Sequence, residues 1–130
     1  NDQIPDAIVC GNDAIADSVI QSISKYSPDK EIAICGQDAD IIACKYIIQG
    51  KQSCTVYKPI PKLAELAAEY AVKLAKKENL QIPYRWKKSI NNGYAEIPGV
   101  WIEPTLVNKE NLDEVIINSG FHPSTSIYVN

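Results

Sequence analysis

The stretch "AICGQDADI", residues 33–41, repeats the pattern of an earlier one, "IVCGNDAIA", at residues 8–16. In both, a short apolar run ends in Cys-Gly and is followed by an amide side chain, an Asp and an Ala. The matched positions Cys10 and Cys35 lie 25 residues apart. Short runs that are apolar at nearly every position are typical of parallel strands covered on both faces. The repeat therefore predicts two parallel strands that each lead into a helix through the same kind of turn.

A β-α-β-α-β order is predicted for residues 1–57. Strands are expected at 6–10, 31–35 and 53–57, and the apolar residues between them recur at helical spacing. Gly50 is placed to end the second of the two helices. Ligands of open α/β sheets bind beyond the carboxyl ends of the strands, where the repeated turns lie. That edge of the sheet is therefore the predicted position of a binding site.

The clearest helix is predicted over residues 61–79, with Pro61 in its first turn. Its apolar stripe is formed by Leu63, Leu66, Ala67, Tyr70, Ala71 and Leu74. Farther along, Asn92-Gly93 favours a tight hairpin turn.

Shorter elements are predicted for the last part of the chain. Residues 100–106 are interpreted as a strand, and Pro104 makes it marginal or edge-like. Residues 108–116 predict a short helix with Asn108 as its N-cap. Residues 121–130 predict a loosely held tail.

Composition and charge argue against several classes of protein. The 130 residues carry a net charge of -3, which gives no electrostatic footprint for nucleic acid. The four cysteines lack Cys-x-x-Cys spacing, so we expect no zinc site and interpret the cysteines as small buried apolar residues. His122 has no Ser, Asp or second His patterned around it, so we expect no catalytic triad. Because the sequence shows neither a nucleophile–base pair nor a metal cluster, we expect no enzyme; we also expect no cofactor. Trp86 and Trp101 are interpreted as packing residues.

Polar side chains follow each of the three strands predicted in the first half of the chain. Asn12 and Asp13 follow the first, Gln37 and Asp38 the second, and Lys58 the third. Helix capping would explain an Asn or Asp at either turn, and an exposed charge would explain Lys58. The repetition favours a second interpretation, a rim that binds a ligand rich in hydroxyl groups. Carboxylates and amides accept hydroxyl hydrogen bonds and an ammonium donates them, whereas a carboxylate would repel a phosphate.

Three segments resemble a known family: "IPDAIVCGNDAIADSVIQSI", "GQDADIIACKYIIQGKQSCTVYKPI" and "PTLVNKENLDEVIINSGFH". They are similar to the C-terminal part of periplasmic-type D-xylose-binding proteins, the solute receptors of sugar ABC transporters. The resemblance runs over nearly all 130 residues. It implies an α/β fold of parallel βαβ units, in which two lobes joined by three hinge crossings close on one sugar.

The resemblance also implies that the two-lobed fold is incomplete in this chain. Residues 1–57 would form part of the C-terminal lobe, and 58–80 a hinge crossing followed by a long helix that packs on the N-terminal lobe. Residues 81–130 would add an irregular segment, a late strand, a short helix and the tail. The chain contains no Met, so we expect a mature chain, a processed product or a fragment. The resemblance implies a further partner, the N-terminal portion of the same protein.

Carried over residue by residue, the sugar contacts of the family are Asn12 in "GND", Asp38 in "GQD" and Lys58 in "VYK". Asp13 is then left as the expected helix cap. The implied ligand is a monosaccharide, most specifically D-xylose.

Two partners are compatible with a receptor of this kind: an ABC permease, or a membrane sensor histidine kinase in a signalling role. A sugar-responsive transcription repressor shares the two-lobed fold, but it would need a helix-turn-helix, and none is seen here. The first two alternatives imply a location outside the cytoplasmic membrane, in the periplasm or at the cell surface. A lipid anchor on a missing N-terminus is compatible with that location.

Overall fold

The computed structural model describes residues 4–84 and 87–128, so Trp86 lies outside the described residues. The chain divides into two compact units. The first comprises the residues up to Lys58 together with those from Thr105 onward, and the second is Pro59–Pro104.

The elements, in chain order, are β1 Ala7–Val9, α1 Asp13–Tyr26, β2 Ala33–Cys35, α2 Ile41–Ile48, β3 Thr55–Tyr57, α3 Ile60–Ala75, β4 Lys87–Asn91, β5 Glu96–Val100, β6 Thr105–Val107, a π-helical turn Asp113–Ile117 and α4 Ser124–Tyr128. The ends of β1, β2 and β3 differ from the predicted ones by at most two residues. The β-α-β-α-β order predicted for the first part of the chain is confirmed.

The sheet of the first unit is parallel where the sequence repeat predicts it. Strands β1 and β2 pair in parallel, with Ala7 opposite Ala33 and Val9 opposite Cys35. A parallel bridge between Cys35 and Cys54 joins β2 to the start of β3. The carboxyl ends of all three strands therefore point toward one edge of the sheet.

Strand β6 is the antiparallel member of this unit, and its position corrects a prediction. Thr55 of β3 lies opposite Val107 of β6. The predicted strand over 100–106 is wrong, because 101–104 lie in no strand and the pairing begins only after Pro104. Proline has no backbone N–H to donate to a ladder, so the pairing starts at the residue that follows it.

Two apolar clusters stabilise the first unit. One consists of Cys10, Ala16, Ile20 and Ile34, from α1, β2 and the residue that follows β1. The other consists of Ala39, Cys44, Ile47, Val107, Leu112, Ile116 and Ile127. The second cluster corrects the prediction of a loosely held tail, because Ile127 of α4 is only 4% exposed.

The short helix predicted over 108–116 is present, but it begins later than predicted and is not an α-helix. The Oδ1 atom of Asn108 accepts hydrogen bonds from the backbone N–H groups of Glu110 (3.0 Å) and Asn111 (3.2 Å), so Asn108 caps a turn as predicted. The regular helical geometry that follows is π-helical and spans Asp113–Ile117.

The second unit contains α3 and a hairpin of β4 and β5. Helix α3 ends before the predicted residue 79, because Lys77 adopts a left-handed φ of 59°. The hairpin turn predicted at Asn92-Gly93 is confirmed, with Gly93 at a φ of 89°. Trp101, interpreted as a packing residue, is 53% exposed. Within the described ranges, no helix is long and apolar enough to cross a membrane.

Candidate functional site

A salt bridge at the carboxyl edge of the sheet brings two of the three predicted site residues together. The Lys58 Nζ atom lies 2.6 Å from Asp38 Oδ1, and the two side chains are 44% and 36% exposed. Lys58 directly follows β3, and Asp38 lies in the turn after β2. A donor and an acceptor of opposite charge are therefore adjacent and accessible to a ligand.

The turn that carries Asp38 has an unusual backbone. Asp38 has a φ of 103° and Ala39 a φ of 56°, a region that non-glycine residues rarely adopt. The N–H of Asp38 donates to Val56 O (2.9 Å), and the N–H of Ala39 donates to Thr55 Oγ1 (3.2 Å). Such conformations cost about 1–3 kcal/mol each and persist only where the surroundings enforce them, often at functional sites. Strand β3 thus fixes the direction of the Asp38 side chain.

The third predicted residue, Asn12, is the N-cap of α1. Its Oδ1 atom accepts a hydrogen bond from the backbone N–H of Ile15 at 2.9 Å. The prediction that Asp13 serves as the cap is therefore wrong, because Asp13 is the first residue inside the helix. The cap uses only the oxygen of Asn12, so the amide NH₂ group can still donate.

Asp13 has a different function from the predicted one, as the acceptor at the centre of a buried network. The residue is 0% exposed, and its carboxylate accepts from Gln52 Nε2 (2.9 Å), Thr55 Oγ1 (2.8 Å) and the N–H of Asp40 (3.0 Å). One carboxylate therefore connects the first turn of α1, the N-terminus of α2 and strand β3. Hydrogen bonds of this number replace the hydration that the carboxylate loses on burial.

The negative charge of Asp13 affects neighbouring groups. Burial, followed by repulsion from Asp13 and Asp38, raises the pKa of Asp40. Burial, followed by the charges of Asp13 and Asp40, raises the pKa of the Cys44 thiol to about 12. The carboxylates around the turn thus oppose additional negative charge, which disfavours an anionic ligand.

The two halves of the sequence repeat are joined but not equivalent. The N–H of Asp13 donates to Gln37 O at 2.8 Å, so the two turns lie side by side. A Cβ on Gly36 would lie 2.0 Å from Asp13 Oδ1, whereas a Cβ on Gly11 would meet only Ile15 Cδ1 at 3.9 Å. The second Gly is therefore required by the close approach of the Asp13 carboxylate.

His122 makes a contact that no local pattern in the sequence predicts. Its Nε2 atom lies 2.8 Å from the carbonyl oxygen of Ala39, 83 residues away in the chain. The segment between β6 and α4 thus supports the same turn that carries Asp38. In residues 4–84 and 87–128, no group of three or more His, Cys, Asp or Glu side chains is arranged to hold a metal ion.

Two of the curated relatives are named as D-xylose-binding periplasmic proteins. The D-xylose-binding periplasmic protein of Haemophilus influenzae is 45% identical over 123 residues, which is 95% of this chain and 36% of that protein. The protein of the same name from Escherichia coli is 42% identical over 122 residues, 94% of this chain and 36% of that protein. The chain thus spans about a third of the length of these relatives.

Solved structures of solute-binding proteins have the same fold. An ABC transporter solute binding protein from Clostridium phytofermentans with bound β-D-glucose matches 98% of this chain and 39% of its own, at a TM-score of 0.83 and 26% identity. A carbohydrate transporter solute binding protein from Chloroflexus aurantiacus, in complex with D-glucose, matches 92% of this chain and 34% of its own, at a TM-score of 0.81 and 27% identity. Both structures agree with an α/β fold that is incomplete in this chain.

A family model described as a periplasmic binding protein domain matches residues 1–79, more than half of the chain. These residues contain β1, β2 and β3, the strained turn and the Asp38–Lys58 salt bridge. The match thus covers the whole edge where the candidate site lies. The chain belongs to the periplasmic binding protein family.

Proposed function

We propose that this chain forms the greater part of one side of a monosaccharide site in an extracytoplasmic sugar receptor. The observation that carries the proposal is the salt bridge between Lys58 and Asp38, 2.6 Å long and partly exposed at the carboxyl edge of a parallel sheet. Relatives named for D-xylose binding, at 45% and 42% identity, support D-xylose as the ligand.

The three predicted residues supply complementary hydrogen-bonding groups. The Asp38 carboxylate would accept from two sugar hydroxyls, and the Lys58 ammonium would donate to a hydroxyl or the ring oxygen. The Asn12 amide would donate through its NH₂ group while its oxygen caps α1. Because Lys58 and Asp38 neutralise each other, the rim is suited to a neutral polyol.

The remainder of the sugar site would come from a second lobe, in the way that the family resemblance implies. Closure of two lobes around the sugar would exclude water and strengthen each charge-assisted hydrogen bond. The names of the solved relatives, which are ABC transporter or carbohydrate transporter solute binding proteins, support a permease as the partner of the closed form. That partner and the periplasmic names of the relatives support a location outside the cytoplasmic membrane.

Calorimetric titration of the whole two-lobed receptor with a panel of sugars tests the proposal. We expect D-xylose to bind more tightly than D-ribose, L-arabinose, D-glucose and D-galactose, with a stoichiometry of one. Inositol serves as a polyol control without a pyranose ring oxygen. Absence of binding to every sugar of the panel, by a receptor that melts cooperatively, would contradict the proposal. Tighter binding of another sugar of the panel would contradict D-xylose as the ligand.

A further inference from the structure

We propose that Cys35 and Cys54 form a reversible disulfide that joins β2 to the start of β3. Both are free thiols in this structure, and their Sγ atoms lie 2.8 Å apart. The two residues are partners in a parallel bridge between neighbouring strands. No other pair of cysteines has both a backbone pairing and a thiol contact among the described residues.

The geometry of the bridge suits a disulfide. Neighbouring strands lie about 4.8 Å apart, which is within the range of roughly 4.4–6.8 Å for the Cα atoms of a disulfide. The two side chains already point at each other, since the sulfur atoms are in contact. Bond formation needs the sulfurs to approach to about 2.05 Å, a movement smaller than a side-chain rotamer change.

Exposure distinguishes this pair from the other two cysteines. Cys35 and Cys54 are half-buried, whereas Cys10 and Cys44 are 8% and 0% exposed. A soluble oxidant can therefore reach the pair more easily than the buried thiols. The location proposed above is one in which disulfides form and persist.

The reaction is thiol–disulfide exchange with a low-molecular-weight disulfide such as oxidised glutathione. Burial, followed by the hydrogen bond and charge of Cys35, raises the pKa of Cys54 to about 12, which disfavours Cys54 as the attacking thiol of the first step. The Cys35 thiolate attacks one sulfur of glutathione disulfide, whose S–S bond breaks and releases one glutathione. Cys54 then attacks Cys35 Sγ, the mixed S–S bond between Cys35 and glutathione breaks, and the departing glutathione thiolate takes up the proton that Cys54 loses. Two protein thiols are oxidised and one small disulfide is reduced to two thiols.

The disulfide would act on the strands that carry the candidate sugar site. Cys35 is the last residue of β2, which leads into the Asp38 turn, and Cys54 directly precedes β3, which leads to Lys58. A covalent bond between the two strands restricts the unfolded chain and holds their relative position. Peptide mapping of the disulfide involves no sugar. A failure of the proposed sugar binding would therefore leave the disulfide proposal standing, and a failure of the disulfide proposal would leave the sugar site standing.

The experiment is peptide mapping of the whole protein after incubation with oxidised glutathione at pH 8 and alkylation of the remaining thiols. Trypsin releases residues 31–45, which contain Cys35 and Cys44, and residues 52–62, which contain Cys54. We expect these peptides to be linked, and lighter by two hydrogens than their sum, with fragment ions between 36 and 44 placing the bond at Cys35. Links to Cys10 or Cys44 should be rarer by about tenfold, because buried thiols react slowly.

Matched variants separate the pair from its neighbours. Cys44→Ser keeps the same tryptic peptide with a single cysteine, and the link to Cys54 should remain. Cys54→Ser should abolish the link, and dithiothreitol should restore both thiols in the unsubstituted protein. Complete alkylation of Cys35 and Cys54 after prolonged incubation, or a predominant link to Cys10 or Cys44, would overturn the proposal.

Discussion

At the residue scale, the most important difference from expectation is that Asn12, and not Asp13, caps α1. Asn12 caps α1, and Asp13 accepts hydrogen bonds from Thr55, Gln52 and the backbone of Asp40 in the interior. The fully buried carboxylate of Asp13 therefore supports the turn that carries Asp38 from the interior of the protein. We infer that Asp13 is a positioning residue for the site, whereas Asp38 contacts the sugar.

Asp13→Ala tests the buried network. The substitution leaves the donors of Thr55, Gln52 and Asp40 without their acceptor, and an unsatisfied buried group costs about 1–3 kcal/mol. We expect the free energy of unfolding to fall by at least the lower end of that range, measured by urea denaturation of the whole receptor. Asp29→Ala is the control, because Asp29 lies exposed in a turn. Equal stability of the two variants would contradict the role assigned to Asp13.

At the element scale, the repeated turns explain which features the sequence could predict. Apolar runs stopped by Cys-Gly predicted β1 and β2, and polar residues at strand ends predicted the meeting of Asp38 with Lys58. Both predictions use a local sequence pattern together with one general rule, that binding sites of open α/β sheets lie at the carboxyl ends of the strands. The network of Asp13 and Thr55 spans 42 residues, and the contact of His122 with Ala39 spans 83. Such pairings depend on how the elements pack, which no local pattern encodes, and the same is true of the pairing of β6 with β3.

Gly36→Ala tests the asymmetry of the two turns, with Gly11→Ala as its matched control. A Cβ at Gly36 would lie 2.0 Å from the Asp13 carboxylate oxygen, whereas a Cβ at Gly11 would make an ordinary contact at 3.9 Å. We expect Gly36→Ala to destabilise the protein by about 1–3 kcal/mol through overpacking. Gly11→Ala should remain within about 0.5 kcal/mol of the parent. Thermal unfolding followed by circular dichroism separates the two, and similar losses would contradict the asymmetry.

At the scale of the whole molecule, exposed apolar side chains indicate surfaces that need a partner. Of the apolar stripe predicted on α3, Leu66 is buried, while Leu63 and Leu74 are 53% and 61% exposed. The two-lobed arrangement that the family resemblance implies would cover such a surface with the N-terminal lobe. Contiguous apolar patches of this kind are uncommon on stable monomers.

The 130 residues produced alone should therefore associate or remain partly unfolded. Sedimentation velocity and thermal unfolding would detect either state. The substitutions Leu63→Lys and Leu74→Lys together should reduce association if the exposed stripe drives it. A monodisperse monomer that melts cooperatively without either substitution would contradict the proposed need for a partner lobe.

The affinity of the whole receptor for D-xylose, compared between the parent and Asp38→Ala by calorimetry, tests the central claim most directly. Lobe closure around the sugar would bury the Asp38 carboxylate, and removing one partner of a buried, hydrogen-bonded charge costs about 2–5 kcal/mol. At about 1.4 kcal/mol per decade, this is a loss of roughly 30-fold to several thousand-fold. Lys58→Ala should fall in the same range, while Asp29→Ala, which removes an exposed charge from a turn, should bind like the parent. An Asp38→Ala receptor that is folded and binds D-xylose as tightly as the parent would contradict the assignment of the sugar site.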